Sequence, residues 1–219
     1  MLRKLWLWVW GGEPPVFPRE ATWVTIFSTA FMLMDEYNIL RNLGLPLDEA
    51  TESLVLYLIF PLLTLPWLGR SPREYGLTLG RWREALPLVG LTWVVAAGVE
   101  AASVYLDPSV RAYYRPLWSA TYPWWVLTDL IGWEFIFRGY LLFAYARAFG
   151  VGAAMWLQMV PFALMHVGKP AAETFSTLFG GVWFAILAWR GRSVLYPILA
   201  HWFIGWFVAF IAVVLAGAV

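Results

Sequence analysis

Gly132-Trp133-Glu134-Phe135-Ile136-Phe137-Arg138-Gly139-Tyr140 is the stretch whose reading decides the fold. It lies inside an apolar run from Trp124 to Phe149, long enough to cross a bilayer. Glu134 and Arg138 are four residues apart, so on a helix they share one face and can pair. Ionised groups at that depth are costly. They usually face the interior of a helix bundle and mark a functional path or site. The same pair also admits a purely structural role, a buried ion pair that fixes helix packing.

The rest of the chain agrees with a membrane setting. Of 219 residues, 61% are hydrophobic and only 13% charged, against about half and a quarter in soluble domains. The fold class expected is all-α, a polytopic transmembrane bundle forming one integral-membrane domain over residues 1–219. Hydropathy and breakers divide it into about seven spans, near 21–40, 52–69, 86–106, 124–149, 152–168, 172–189 and 193–216. Pro and Gly clusters mark the joints, and short loops imply antiparallel neighbours. The opening Met1 to Trp10 is short and Trp-rich, and Gly11-Gly12-Glu13-Pro14-Pro15 follows it. That reads as a retained interfacial segment, not a cleaved signal. With no cysteine there is no disulfide framework and no thiolate chemistry. No basic stripe is present, so nucleic acid is not an expected partner, whereas membrane lipids are.

Lys and Arg in the loops set the expected orientation. Arg3, Lys4, Arg19, Arg70, Arg73, Arg81, Arg83, Arg147, Arg190 and Arg192 fall on one side, and Arg41, Arg111, Arg115 and Lys169 on the other. This bias places the N-terminus in the cytoplasm and the C-terminus on the opposite side.

Downstream of residue 120 the intramembrane polar groups thicken: Asp129, Glu134, Arg138, Gln158, His166, Glu173 and His201. Both of the chain's histidines are among them. His166 stacks with Phe162 and Gln158 on a helix expected to bend or break near Pro161, His201 with Pro197 and Gly205, and Glu134 with Arg138. If these faces meet, one carboxylate and two imidazoles converge between helices. Such a set suits water activation by the Glu, with the imidazoles polarising a carbonyl or binding an oxyanion. Glu134, His166 and His201 also suit a three-ligand divalent site such as zinc, although no HExxH motif supports it. Counting rises of about 1.5 Å per residue spreads the three over roughly 15 Å of depth and puts Glu173 nearer His166 than His201 is.

The motifs Glu134-Phe-Ile-Phe-Arg138-Gly139, Phe162-Ala-Leu-Met-His166 and His201-Trp-Phe-Ile-Gly205, in that order, resemble the CAAX protease and bacteriocin-processing family. These are intramembrane glutamate proteases related to the type II CAAX prenyl protease. The resemblance covers roughly 124–207, the motif-bearing core, with similarity also in the loop Arg73 to Gly80. It implies an intramembrane endopeptidase of the glutamate or metallo type, acting on a peptide or lipidated peptide at the membrane. Glu134, Arg138, His166 and His201 would form its catalytic set, and the glutamate reading needs no cofactor. Two positions depart from the family pattern. Trp133 stands where a first glutamate is usual, and Gly205 where a polar residue usually joins the last His. Glu173 or Asp129 are secondary candidates for the missing carboxylate. The alternative is an inactive relative serving as a membrane scaffold or immunity-type binder, and a proton relay through Asp129, Glu134 and His166 is a third.

Overall fold

The computed structural model describes residues 2–215, and among these every regular element is helical. An exposed helix α1 (Leu2–Trp10) is followed by α2 (Arg19–Glu36). After a short helical turn at Ile39–Asn42 comes α3 (Glu49–Leu68), which contains a π-helical turn over Val55–Ile59, then α4 (Trp82–Leu106) and a short helix at Pro108–Tyr114. Helix α5 (122–149) is α-helical to Glu134, π-helical over Phe135–Leu141, and α-helical again to Phe149. It is followed by α6 (Val151–Leu164), α7 (Ala171–Gly191) and α8 (Leu195–Leu215). The last position of the span expected at 193–216 lies outside the described residues.

Four of these helices, α3, α4, α7 and α8, are long and apolar enough to cross a membrane. The chain forms and ends them by ordinary local means. Asp48 caps the start of α3 by accepting from Thr51 N at 2.8 Å. Gly69 ends α3 in the left-handed conformation, φ 69°, which a side chain would resist. Where the sequence suggests a bend or a break near Pro161, no break falls at the proline itself. Helix α6 runs through that residue and stops at Leu164, because Gly168 and Pro170 close the connection to α7 within a few residues.

All seven residues of the π segment in α5 are buried, and it forms the axis of the bundle. Helices α2, α6 and α7 and the π turn of α3 pack on it. Its approach to its neighbours is close: a Cβ on Gly139 would come within 2.8 Å of Tyr75 O. Gly98, by contrast, has nothing within 4 Å of such a Cβ. The small-residue run Ala96 to Ala102 is therefore not a tight helix contact at its glycine.

One end of the bundle is tied by charge. Glu20 accepts from Arg70 Nη2 at 2.8 Å, from Tyr75 Oη at 2.5 Å and from Arg147. Backbone bonds from Arg81 N to Gly191 O (2.7 Å) and from Val194 N to Gly76 O (3.0 Å) pin the 70–81 loop to the α7–α8 joint. Within that loop Glu74 Oε2 accepts from Ser71 N, and Oε1 from Arg70 Nη1, both at 2.8 Å. The Ser71 backbone bond, then the Arg70 guanidinium, hold the Glu74 carboxyl below its ordinary 4.5. A lowered carboxylate contributes stability that is complete above its unfolded value and fades as pH falls through the folded one. Glu74→Gln should therefore melt slightly below wild type at pH 7. The gap should narrow as pH falls through the carboxyl's range, and a gap that stays constant would contradict the assignment.

Candidate functional site

Glu134 is the last α-helical residue before the wide turn of α5, and Arg138 lies inside that turn. A π turn is frequent at functional sites because it redirects side chains without ending the helix. Here it leaves the expected pair intact: Arg138 Nη1 lies 3.3 Å from Glu134 Oε1, both side chains fully buried. Glu134 Oε1 also meets His201 Nδ1 at 2.6 Å, bringing α8 onto α5 across 67 residues of sequence. Among Glu134, Arg138 and His201 only the last keeps surface, 13% of its side chain.

Three rings receive the guanidinium. Arg138 Cζ sits 3.8 Å from the centroid of Phe162, 5.2 Å from Phe184 and 5.6 Å from Phe137. Aromatic faces attract a desolvated cation, and the fit explains how an arginine is held at full burial beside a single carboxylate. Phe162 also organises the imidazoles, with ring centroids 4.5 Å from His166 and 5.9 Å from His201. Phe184 stacks on His201 at 4.9 Å.

His166 Nδ1 lies 2.8 Å from Phe162 O. A carbonyl only accepts, so this nitrogen carries the proton and Nε2 is left as the lone-pair atom. A carboxylate likewise only accepts, which places the His201 proton on Nδ1 and leaves its Nε2 bare. In their neutral forms both imidazoles offer Nε2 as an acceptor, and a protonated ring would offer it as a donor.

The 15 Å spread in depth is not what the structure contains. Because α6 stops at Leu164, His166 sits in the connection to α7, beside the rings that also border His201. Glu173 is not drawn in: it accepts from Tyr114 Oη, and its Oε1 pairs with Lys169 Nζ at 3.1 Å. Asp129 faces Ser53 across the contact between α3 and α5. Neither supplies a second carboxylate to the cluster, and no polar chain links Asp129 to Glu134 among the described hydrogen bonds.

The departures from the family pattern have a packing reason. Trp133 lies edge-on to His166 at 5.6 Å and to Tyr57 at 6.0 Å, filling the wall with an aromatic ring. A Cβ on Gly205 would come within 2.8 Å of Val126 Cγ1, so a larger side chain there requires Val126 to shift.

Gln158 is a member of the site that the sequence reading did not assign a role. It is fully buried, and its Nε2 donates to Gly181 O at 3.0 Å, the same carbonyl that Arg138 Nη2 approaches at 3.5 Å. Its spacing of four from Phe162 and eight from His166 was the available signal. Glu134 Oε2, Arg138 Nε and Gln158 Oε1 are buried without a protein partner, which gives the cluster unspent bonding capacity.

The metal reading does not fit these donors. Among the described residues no group of three or more His, Asp or Glu side chains converges as a cation requires. Arg138 already places a positive charge 3.3 Å from the carboxylate such a cation would need.

Neither a curated protein nor a solved structure matches the chain. A family model does match, described as Rce1-like, type II CAAX prenyl endopeptidase Rce1-like, and it covers residues 115–207. That segment runs from just before α5 to beyond His201, and includes Glu134, Arg138, Gln158, His166 and His201. The resemblance carried by the three motifs is thus a resemblance to the CAAX-type proteases, and it spans every residue of the polar cluster.

Proposed function

We propose that the protein is an intramembrane endopeptidase of CAAX type, cutting a peptide or lipidated peptide held at the membrane. The observation that carries this is the 2.6 Å contact between Glu134 and His201, made within the segment matched by the family. A carboxylate on Nδ1 orients an imidazole and stabilises its protonated form, so that Nε2 acts as base. Water gives a proton to His201 Nε2 while its oxygen attacks the scissile carbonyl carbon. The imidazolium then returns that proton to the amide nitrogen as the C–N bond breaks. His166 Nε2 accepts from the second hydrogen of the water and orients it. Arg138 balances the charge of Glu134, and Gly181 O, which also accepts from Gln158, receives Arg138 Nη2. No cofactor is required.

The membrane arrangement we propose has seven crossings, α2, α3, α4, α5, α6, α7 and α8, in one domain, with α1 lying in the interface. The alternation of their ends supports it: Arg19, Arg70, Arg147 and Arg192 gather at one end, and Arg41, Arg111 and Lys169 lie at the other. The cationic end faces the cytoplasm by the positive-inside rule, which puts the N-terminus there and the C-terminus across the membrane.

Purified protein incubated with membrane-embedded peptides should cleave some of them. Glu134→Gln and His201→Asn should each lower the rate by about a hundredfold or more, and His166→Ala should also lower it. Equal turnover in wild type and all three variants would sink the proposal. A second reading rests on Trp133 and Gly205: the bundle serves as a scaffold or immunity-type binder without hydrolysis. It predicts an inert wild type and an intact cellular phenotype in Glu134→Gln.

A further inference from the structure

At the cationic end, Arg73, Glu74, Phe143, Ala146, Arg147, Trp189 and Arg192 line a half-open cavity of about 250 Å³. From Glu134 to Phe143, the nearest lining residue on α5, is about 13 Å of helix, so this pocket is separate from the polar cluster. Its charges are not equally free. Arg147 is bound to Glu20 and donates to Glu74 O at 3.2 Å, and Glu74 is held by Arg70 at 2.8 Å. Arg73 and Arg192 are exposed and have no carboxylate partner among the described ion pairs. Two uncompensated guanidiniums therefore face one cavity.

Position and floor narrow the occupant. Helix α7 ends at Gly191, and Arg192 follows in the left-handed conformation, φ 52°, turning its guanidinium back over Trp189 at 4.0 Å. Trp189 in turn lies 5.9 Å from Phe143. Because α7 is long and apolar enough to span, its end lies where phosphates of the bilayer lie and where Trp rings commonly sit. Guanidiniums above an aromatic floor match a phosphodiester whose acyl chains continue down the side of the bundle.

We propose that this cavity binds the phosphate headgroup of an anionic phospholipid through Arg73 and Arg192, with Trp189 and Phe143 beneath it. The site is independent of whether the protein cleaves peptides.

The test is native mass spectrometry of the full chain released from mixed micelles of phosphatidylglycerol and phosphatidylcholine. Wild type should retain phosphatidylglycerol about tenfold in preference. Arg73→Gln/Arg192→Gln should lose that preference, while Arg83→Gln/Arg190→Gln, which removes the same charge from residues outside the lining, should keep it. Both exposed pairs lie outside the bonded network at Glu20, and melting in phosphatidylcholine alone should match wild type. Single Arg192→Gln gives a second variant with a smaller loss. Equal loss in the two double variants would overturn the site in favour of diffuse attraction. Displacement of the lipid by millimolar inorganic phosphate would overturn it in favour of a soluble anion.

Discussion

Arg138→Met is expected to destabilise the protein by about 3–5 kcal/mol, the range seen when one partner of a buried pair is removed. At this chain length that is a fall of about 10 °C in melting temperature. The reason is geometric. Arg138 is fully buried, and Glu134 is equally buried with Oε1 between the guanidinium and His201. Methionine refills most of the volume among Phe137, Phe162 and Phe184 but leaves the carboxylate with only the imidazole. Adding Glu134→Gln should recover a substantial part of the loss, because a neutral amide does not need the cation. The pair of melts separates this account from simple loss of packing: a double variant no more stable than Arg138→Met alone would mean that the rings, not the charges, set the cost. Arg138→Lys should not rescue fully, since an ammonium is more strongly hydrated than the guanidinium whose Cζ sits 3.8 Å from the Phe162 centroid.

The second large effect is steric. A Cβ on Gly132 would fall 2.6 Å from Ser53 O and 3.0 Å from Ser53 C, both backbone atoms of α3. No side-chain rotation relieves that contact, so α3 and α5 must separate two residues from Glu134. Gly132→Ala should cost about 1–3 kcal/mol, and Gly132→Val more. Gly90→Ala in α4 is the control. It meets nothing within 4 Å, and exchanging glycine for alanine inside a helix should stabilise by about 0.5–1 kcal/mol. Chemical or thermal melts in micelles read both. A Gly132→Ala protein as stable as wild type would show that the two helices are free to move apart.

Much of this arrangement was legible in the sequence, and for identifiable reasons. Charges inside an apolar run are conspicuous, so Glu134, Arg138, His166 and His201 could be picked out by polarity alone, and the motif order carried the family resemblance. What was not legible depended on distances between helices. Glu173 lies next to Thr174, whose hydroxyl donates to His166 O at 2.8 Å, yet its own carboxylate is taken by Tyr114 and Lys169. Asp129 is ionisable and embedded, yet it looks toward Ser53. Gln158 gave little signal because its partner is a backbone carbonyl, Gly181 O, which no sequence pattern displays. The glycines divided similarly: Gly98 sits among small residues and touches nothing, whereas Gly132 sits among large ones and touches backbone.

The π segment over Phe135–Leu141 has a consequence for anyone drawing helical wheels of this region. Each residue of an ordinary helix advances by about 100°, and a widened turn absorbs an additional residue without breaking the rod. Positions before Glu134 and after Leu141 are therefore out of phase with a single continuous wheel. Neighbours inferred by counting across the motif, in this chain or in any relative aligned to it, must be counted separately on its two flanks.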